Sequence, residues 1–169
     1  MGQEDEIQRQ VKENRSAAEA VEREKQEWAT NRKRSFQHKM SLLEPHAHEY
    51  IKVLKDYNIR KTPIYQYFSP PSLFALFANY QYKSRKMGNG WRIHEDLMLD
   101  DLGRFWLKKQ IHYKVRTAGP GGRVSYHRLS SNDVNEWDMG ERNMTEMTPP
   151  SLEDVNSYIA GVISENLNK

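Results

Sequence analysis

The chain contains no cysteine. That excludes a disulfide framework and any thiolate metal centre, and it is compatible with a reducing compartment. No apolar run approaches the roughly 20 residues needed to cross a bilayer. The opening stretch "MGQEDEIQRQVKENR" lacks the apolar segment of a secretory signal, and its acidic residues argue against a mitochondrial presequence. Glu6 stands where an N-myristoylation pattern takes Ser or Thr. A soluble, intracellular protein is the expectation. Apolar residues are sparse, at 37%, against 29% charged, so part of the chain is expected to lack a core of its own.

Glycine and proline are absent from residues 3–40, where Glu, Gln, Lys, Arg and Ala dominate. These residues lose little side-chain entropy in a helix, and a long helix follows. A heptad frame places Val11, Ala18, Lys25, Arg32 and Lys39 on one seam row and Ile7, Asn14, Val21, Trp28, Ser35 and Leu42 on the other. About half are apolar, a weak seam for a self-sufficient coiled coil. The helix therefore reads as an arm that docks on a protein partner through Val21, Trp28 and Arg32, although Trp28 taken alone fits packing on the body of the same protein at least as well, and the pattern admits self-association.

Ser41 and Glu44 stand at capping-box spacing before "PHAHEYIKVLKDYNI", which predicts a second helix. Ala47, Ile51, Leu54 and Asn58 lie along one of its faces. "RKTPIYQYFSPP" then breaks it, with an extended piece at Ile64–Phe68. The expected domains are an extended helical arm, 1–40, a connecting helix and linker, 41–62, and a compact body, 63–169. In the body, Leu73, Leu76, Phe77 and Tyr80 keep helical spacing and predict a helix over about 70–86. "WRIHEDLMLDDLGRFWLKK" is read as a further helix weakened by Gly103, whose C-terminal part could equally begin a strand. From Ile111 the period becomes two, and "AGPGG" separates two such runs, which predicts a hairpin over 111–129. Its expected form has one apolar face (Ile111, Tyr113, Val115, Val124, Tyr126) and one basic face. "SLEDVNSYIAGVISENL" closes the chain with a helix capped by Ser151 and Asp154. The fold class is α+β, mainly helical: a long N-terminal helix followed by a small mixed body with a basic β-hairpin.

Charge is segregated. Basic and acidic residues balance over residues 1–59, basic residues exceed acidic by nine over 60–129, and acidic exceed basic by six over 130–169. The basic block also holds 12 of the 18 aromatics. Lys108, Lys109, Lys114, Arg116, Arg123, Tyr126 and Arg128 are therefore the candidate residues for an anionic partner, whether an acidic protein surface or the phosphates and bases of RNA or DNA. Catalytic signals are weak by comparison. His46 and His48 are two apart and point to different faces of a helix, which does not assemble a metal centre. Glu95, Asp96, Asp100 and Asp101 fit a solvated helix face. "GPGG" lacks the Lys-Ser/Thr pair of a phosphate cradle, and Ser125, His127 and Asp133 show no nucleophile elbow. The helix–helix–hairpin order is that of a winged helix–turn–helix, but "RFWLKKQ" between Gly103 and the hairpin is too short for a recognition helix. These features predict a non-enzymatic protein with neither metal nor cofactor, serving as a structural or adaptor subunit of a larger assembly, with nucleic-acid binding as the alternative.

Overall fold

The computed structural model describes residues 2–61, 72–84, 90–115, 119–132 and 150–168. It has two compact units, Met1–Ser35 and Phe36–Lys169. Helix α1 (Gln3–Leu43) runs through both, so the architecture is α+β with the expected long N-terminal helix. In the first unit, Glu4, Asp5 and Glu6 occupy the first turn, where negative charge suits the helix dipole. Ion pairs follow at Arg9–Glu6 (2.7 Å), Arg9–Glu13 (3.4 Å) and Arg15–Glu19 (3.0 Å). Exposed pairs of this kind contribute little to stability.

The second unit is built on a meander. Strands β1 (Phe74–Ser84), β2 (Gly90–Leu99), β3 (Phe105–Val115) and β4 (Gly119–Leu129) form one antiparallel sheet in sequence order. Phe74, Leu97, Leu99, Phe105, Leu107 and Leu129 share one core with Phe36, Met40 and Leu43 of α1. Helix α2 (Ala47–Asp56) adds Ala47, Tyr50, Ile51 and Leu54, and α3 (Leu152–Leu167) adds Val155 and Ile159. The predicted cap of α3 is present: Ser151 Oγ accepts from Asp154 N (3.1 Å), and Asp154 Oδ2 accepts from Ser151 N (2.7 Å). Tyr50 Oη donates to Asn156 Oδ1 (2.9 Å), tying α2 to α3.

Four expectations are overturned, one of them in part. The predicted helix over 70–86 is β1 across its described part. A bulge between Ala75 and Phe77 shifts the register against β2, so the apolar positions lose their period of two and imitate a helix. Of the segment 91–109, the C-terminal part begins strand β3 at Phe105, as its alternative reading had it, whereas the part read as helix is β2. There Ile93, Leu97 and Leu99 do alternate and are buried, but Glu95 interrupts the pattern. The third correction concerns Ser41, which caps nothing. Its Oγ donates to the His38 carbonyl (2.7 Å), α1 continues to Leu43, and a 3-10 turn at Glu44–His46 leads into α2. Glu44 instead accepts from Ser131 N (2.7 Å) and Ser131 Oγ (2.9 Å), securing the chain after β4. Asn58 does not line an apolar face; with φ 54° it ends α2 in a left-handed turn, and Ile59 N donates to the Leu54 carbonyl (2.9 Å). The extended piece predicted at 64–68 lies outside the described residues.

The β2–β3 turn is held by one carboxylate. Asp100 is fully buried. Its Oδ1 accepts from Leu102 N and Arg104 N (both 2.9 Å), and its Oδ2 accepts from Arg104 Nε (2.6 Å) and Trp106 Nε1 (3.0 Å). Burial pushes the Asp100 carboxyl up, but these hydrogen bonds together outweigh it and hold the group below the usual carboxylate range. Gly103 closes the turn at φ +77°, and a Cβ there would lie 3.2 Å from His48 Cε1.

Asp100→Ala is expected to cost about 3 kcal/mol, because it strands several buried donors. Gly103→Ala should cost about 1–2 kcal/mol through backbone strain and the His48 contact. Both are read from denaturant midpoints. A carboxyl with a lowered folded pKa contributes stability that is present above its unfolded value and lost as pH falls through the folded one. Unfolding followed at decreasing pH should therefore show a shallower acid loss in Asp100→Asn than in the parent.

Candidate anion-facing surface

The seven candidate residues fall on β3, on β4 and on the segment joining them. Pairing joins Trp106 to Arg128, Lys108 to Tyr126, Lys109 to Ser125, Ile111 to Arg123 and Lys114 to Pro120. Directly paired residues share a face of the sheet. Ile111 therefore lies on the same face as Arg123 and Ser125, while Val124 and Tyr126 lie with Gln110 and Lys108. The expected hairpin with one apolar and one basic face is thus overturned. The alternation within each strand was sound, but the register sets the apolar positions of β3 against the basic positions of β4. Register comes from turn geometry, which the alternation does not specify.

Two of the candidate cations have acidic partners within the sheet. Lys108 Nζ lies 2.9 Å from Asp96 Oδ2, and Lys109 Nζ lies 3.3 Å from Glu95 Oε1. Asp96 and Lys108 are directly opposed across β2 and β3, as are Glu95 and Lys109, so one ion pair stands on each face. The Glu95 side chain is only 4% exposed and the two lysines 17–20%. Glu95 and Asp96 accordingly do not belong to a solvated helix face, and neither do the other two acids. Asp100 builds the turn, and Asp101 binds Lys55 (3.0 Å) and Lys61. The hydrogen bonds from Lys61 and Lys55 hold the Asp101 carboxyl below its ordinary value.

Arg123 and Arg128 are exposed, and neither makes an ion pair with a described residue. Tyr126 is half-buried on the face that carries Arg128. That face continues through exposed Arg92 and His112, which are paired across β2 and β3. Sequence reasoning missed Arg92 because it placed the residue in a helix; the interrupted period-two spacing of Ile93, Leu97 and Leu99 is the signal that finds it. Lys114 keeps its ladder position opposite Pro120, and Arg116 lies outside the described residues, as do Asp133 and most of the acidic stretch.

The candidate docking residues of the arm are all on α1. Val21 is 45% exposed, and the Arg32 guanidinium sits 5.1 Å from the centre of the Trp28 ring. His46 contacts Glu49 (3.2 Å), and His48 packs beside Gly103. Among the described residues, no three His, Asp or Glu side chains are grouped to hold a metal. A groove of about 380 Å³ between α2 and α3, lined by Tyr50, Val53, Leu152, Ile159 and Ile163 among others, was not foreseen. Comparison with protein-family models, curated proteins and solved structures finds no match to this chain.

These environments separate structural cations from available ones. Lys108→Ala and Lys109→Ala are expected to cost about 1 kcal/mol or more in denaturant unfolding, because each leaves a half-buried or buried carboxylate without its lysine. Arg123→Glu and Arg128→Glu should change stability by about 0.5 kcal/mol at most, as exposed positions do.

Proposed function

We propose that this protein is a non-enzymatic structural or adaptor subunit of a larger assembly, which docks through the α1 arm and meets an acidic partner with the cations of β4. The observation that carries this reading is the arm. Its first unit consists of one helix, with Ile7 and Val11 each 61% exposed and Val21 45% exposed. Apolar side chains on a long charged helix lose that exposure by packing on a protein surface. In the body, Lys108 and Lys109 hold the sheet, so contact with the acidic partner falls to the edge strand β4, to Arg128 and Tyr126 on one face and Arg123 on the other, with Lys114 and Arg116 adding charge in sequence. No described helix is long and apolar enough to cross a membrane.

The exposed Arg123 and Arg128, with Tyr126 on the Arg128 face, also support a second reading, in which β4 grips the phosphates of RNA or DNA. The two readings separate experimentally. For an assembly subunit, co-purified protein stays bound after nuclease treatment and is released by deleting residues 3–27, and Trp28→Ala weakens binding about tenfold or more. Retention of the partner without residues 3–27 would reject docking through the arm. For a nucleic-acid binder, anisotropy of labelled RNA or DNA shows affinity falling with salt, and the Arg123→Glu/Arg128→Glu variant reduces the log–log slope by about 2.

A further inference from the structure

We infer that the partner of the α1 arm is a second copy of this chain, paired with it antiparallel in a two-stranded coiled coil. The inference rests on the docking reading above and names its occupant. Residues Ile7, Val11, Asn14, Ala18, Val21, Lys25, Trp28 and Arg32 follow one another at alternating spacings of four and three, so they form one seam on a continuous helix. The seam is about 38 Å long. Its N-terminal members Ile7, Val11 and Val21 are exposed.

The seam's polar members decide orientation. In a parallel pair each seam residue meets its own copy. Lys25 then faces Lys25 and Arg32 faces Arg32, placing like charges together at the core, and two Trp28 rings compete for one layer. In an antiparallel pair, residues of one row meet residues of the other. One register matches Ile7 with Arg32, Val11 with Trp28, Asn14 with Lys25 and Ala18 with Val21. Polar Asn14 then meets polar Lys25, the largest side chain meets a valine, and Arg32 lies at the seam's end with its guanidinium over the Trp28 ring.

The flanking charges select the same register. With those layers, Arg15 of each copy stands beside Glu22 of the other, giving two symmetric ion pairs. Sliding the helices by one heptad in one direction sets Arg15 against Arg15, and in the other direction sets Glu22 against Glu22 and Glu24 against Glu24. Only the first register is complementary. Arg15 bonds Glu19 within its own helix at 3.0 Å, but with side chains 81% and 62% exposed that pair is too weak to compete with a partner charge.

The test uses the full chain. Sedimentation equilibrium over a concentration series should show a monomer–dimer equilibrium. Arg15→Glu alone and Glu22→Arg alone should each weaken it about tenfold or more, and the double charge swap should restore it. Because the chain has no cysteine, single-cysteine reporters are clean. Mixed Asn14→Cys and Lys25→Cys chains should form a disulfide-linked heterodimer, whereas Asn14→Cys alone should not self-link. A monomer at every concentration, a charge swap that fails to restore association, or ready self-linking of Asn14→Cys overturns the inference. A monomeric chain that still loses its assembly on deletion of residues 3–27 rejects the second copy and keeps the docking reading. A dimer that survives this deletion rejects both.

Discussion

The Asp100 carboxylate is the constraint on which the body depends. Four hydrogen bonds converge on its two oxygens, three from within the five-residue turn and one from Trp106 in β3, and they fix how β3 returns along β2. From that register follow Leu99 opposite Phe105 and Leu97 opposite Leu107, which form the centre of the sheet's apolar face. The next pairs along the same ladder are Asp96 with Lys108 and Glu95 with Lys109. The turn is also seated from outside: Asp101 reaches Lys55 of α2, and Gly103 lies against His48 and Ala47. One buried charge thus sets both the strand pairing and the approach of α2. A displaced register would put every β3 side chain on the wrong face.

Charge in this chain is accordingly divided by burial more than by sequence position. The basic block of residues 60–129 reads as one surface, but its two adjacent lysines, 108 and 109, point to opposite faces and answer two adjacent acids. A half-buried ion pair is retained because removing either partner strands the other. Such lysines belong to the architecture. The exposed arginines of β4 face no such constraint, and any anionic partner would be met by them.

Legibility in the sequence followed the regularity of each element. Helices α1 and α3 were readable because composition, periodicity and, for α3, the Ser151–Asp154 cap agree. The β3–β4 hairpin was readable from its alternation, although the glycines expected to form its turn, Gly119, Gly121 and Gly122, belong to β4. Strand β1 was not, because its bulge after Ala75 destroys the period of two that identifies a strand. Strand β2 was obscured by Glu95, a buried acid at a position where the pattern calls for an apolar residue. The faces of the hairpin were illegible for a further reason: alternation orders side chains within a strand, while register between strands is a tertiary property. Of the candidate cations, only knowledge of β2 separates Lys108 and Lys109 from Arg123 and Arg128.

The arm poses the converse problem, since its secondary structure is plain and its purpose lies in what the seam withholds. A seam of Ile and Leu would associate strongly, in several registers and both orientations. This one gives up apolar contact at Asn14, Lys25 and Arg32. Each of these residues costs affinity in every arrangement, but least where polar meets polar. Weakness is then selective. The neutral charge balance of residues 1–59 removes any long-range preference between like helices, so the choice falls to short-range matches such as Arg15 with Glu22. On the docking reading, a helix built this way would discriminate among partners by the positions of a few charges.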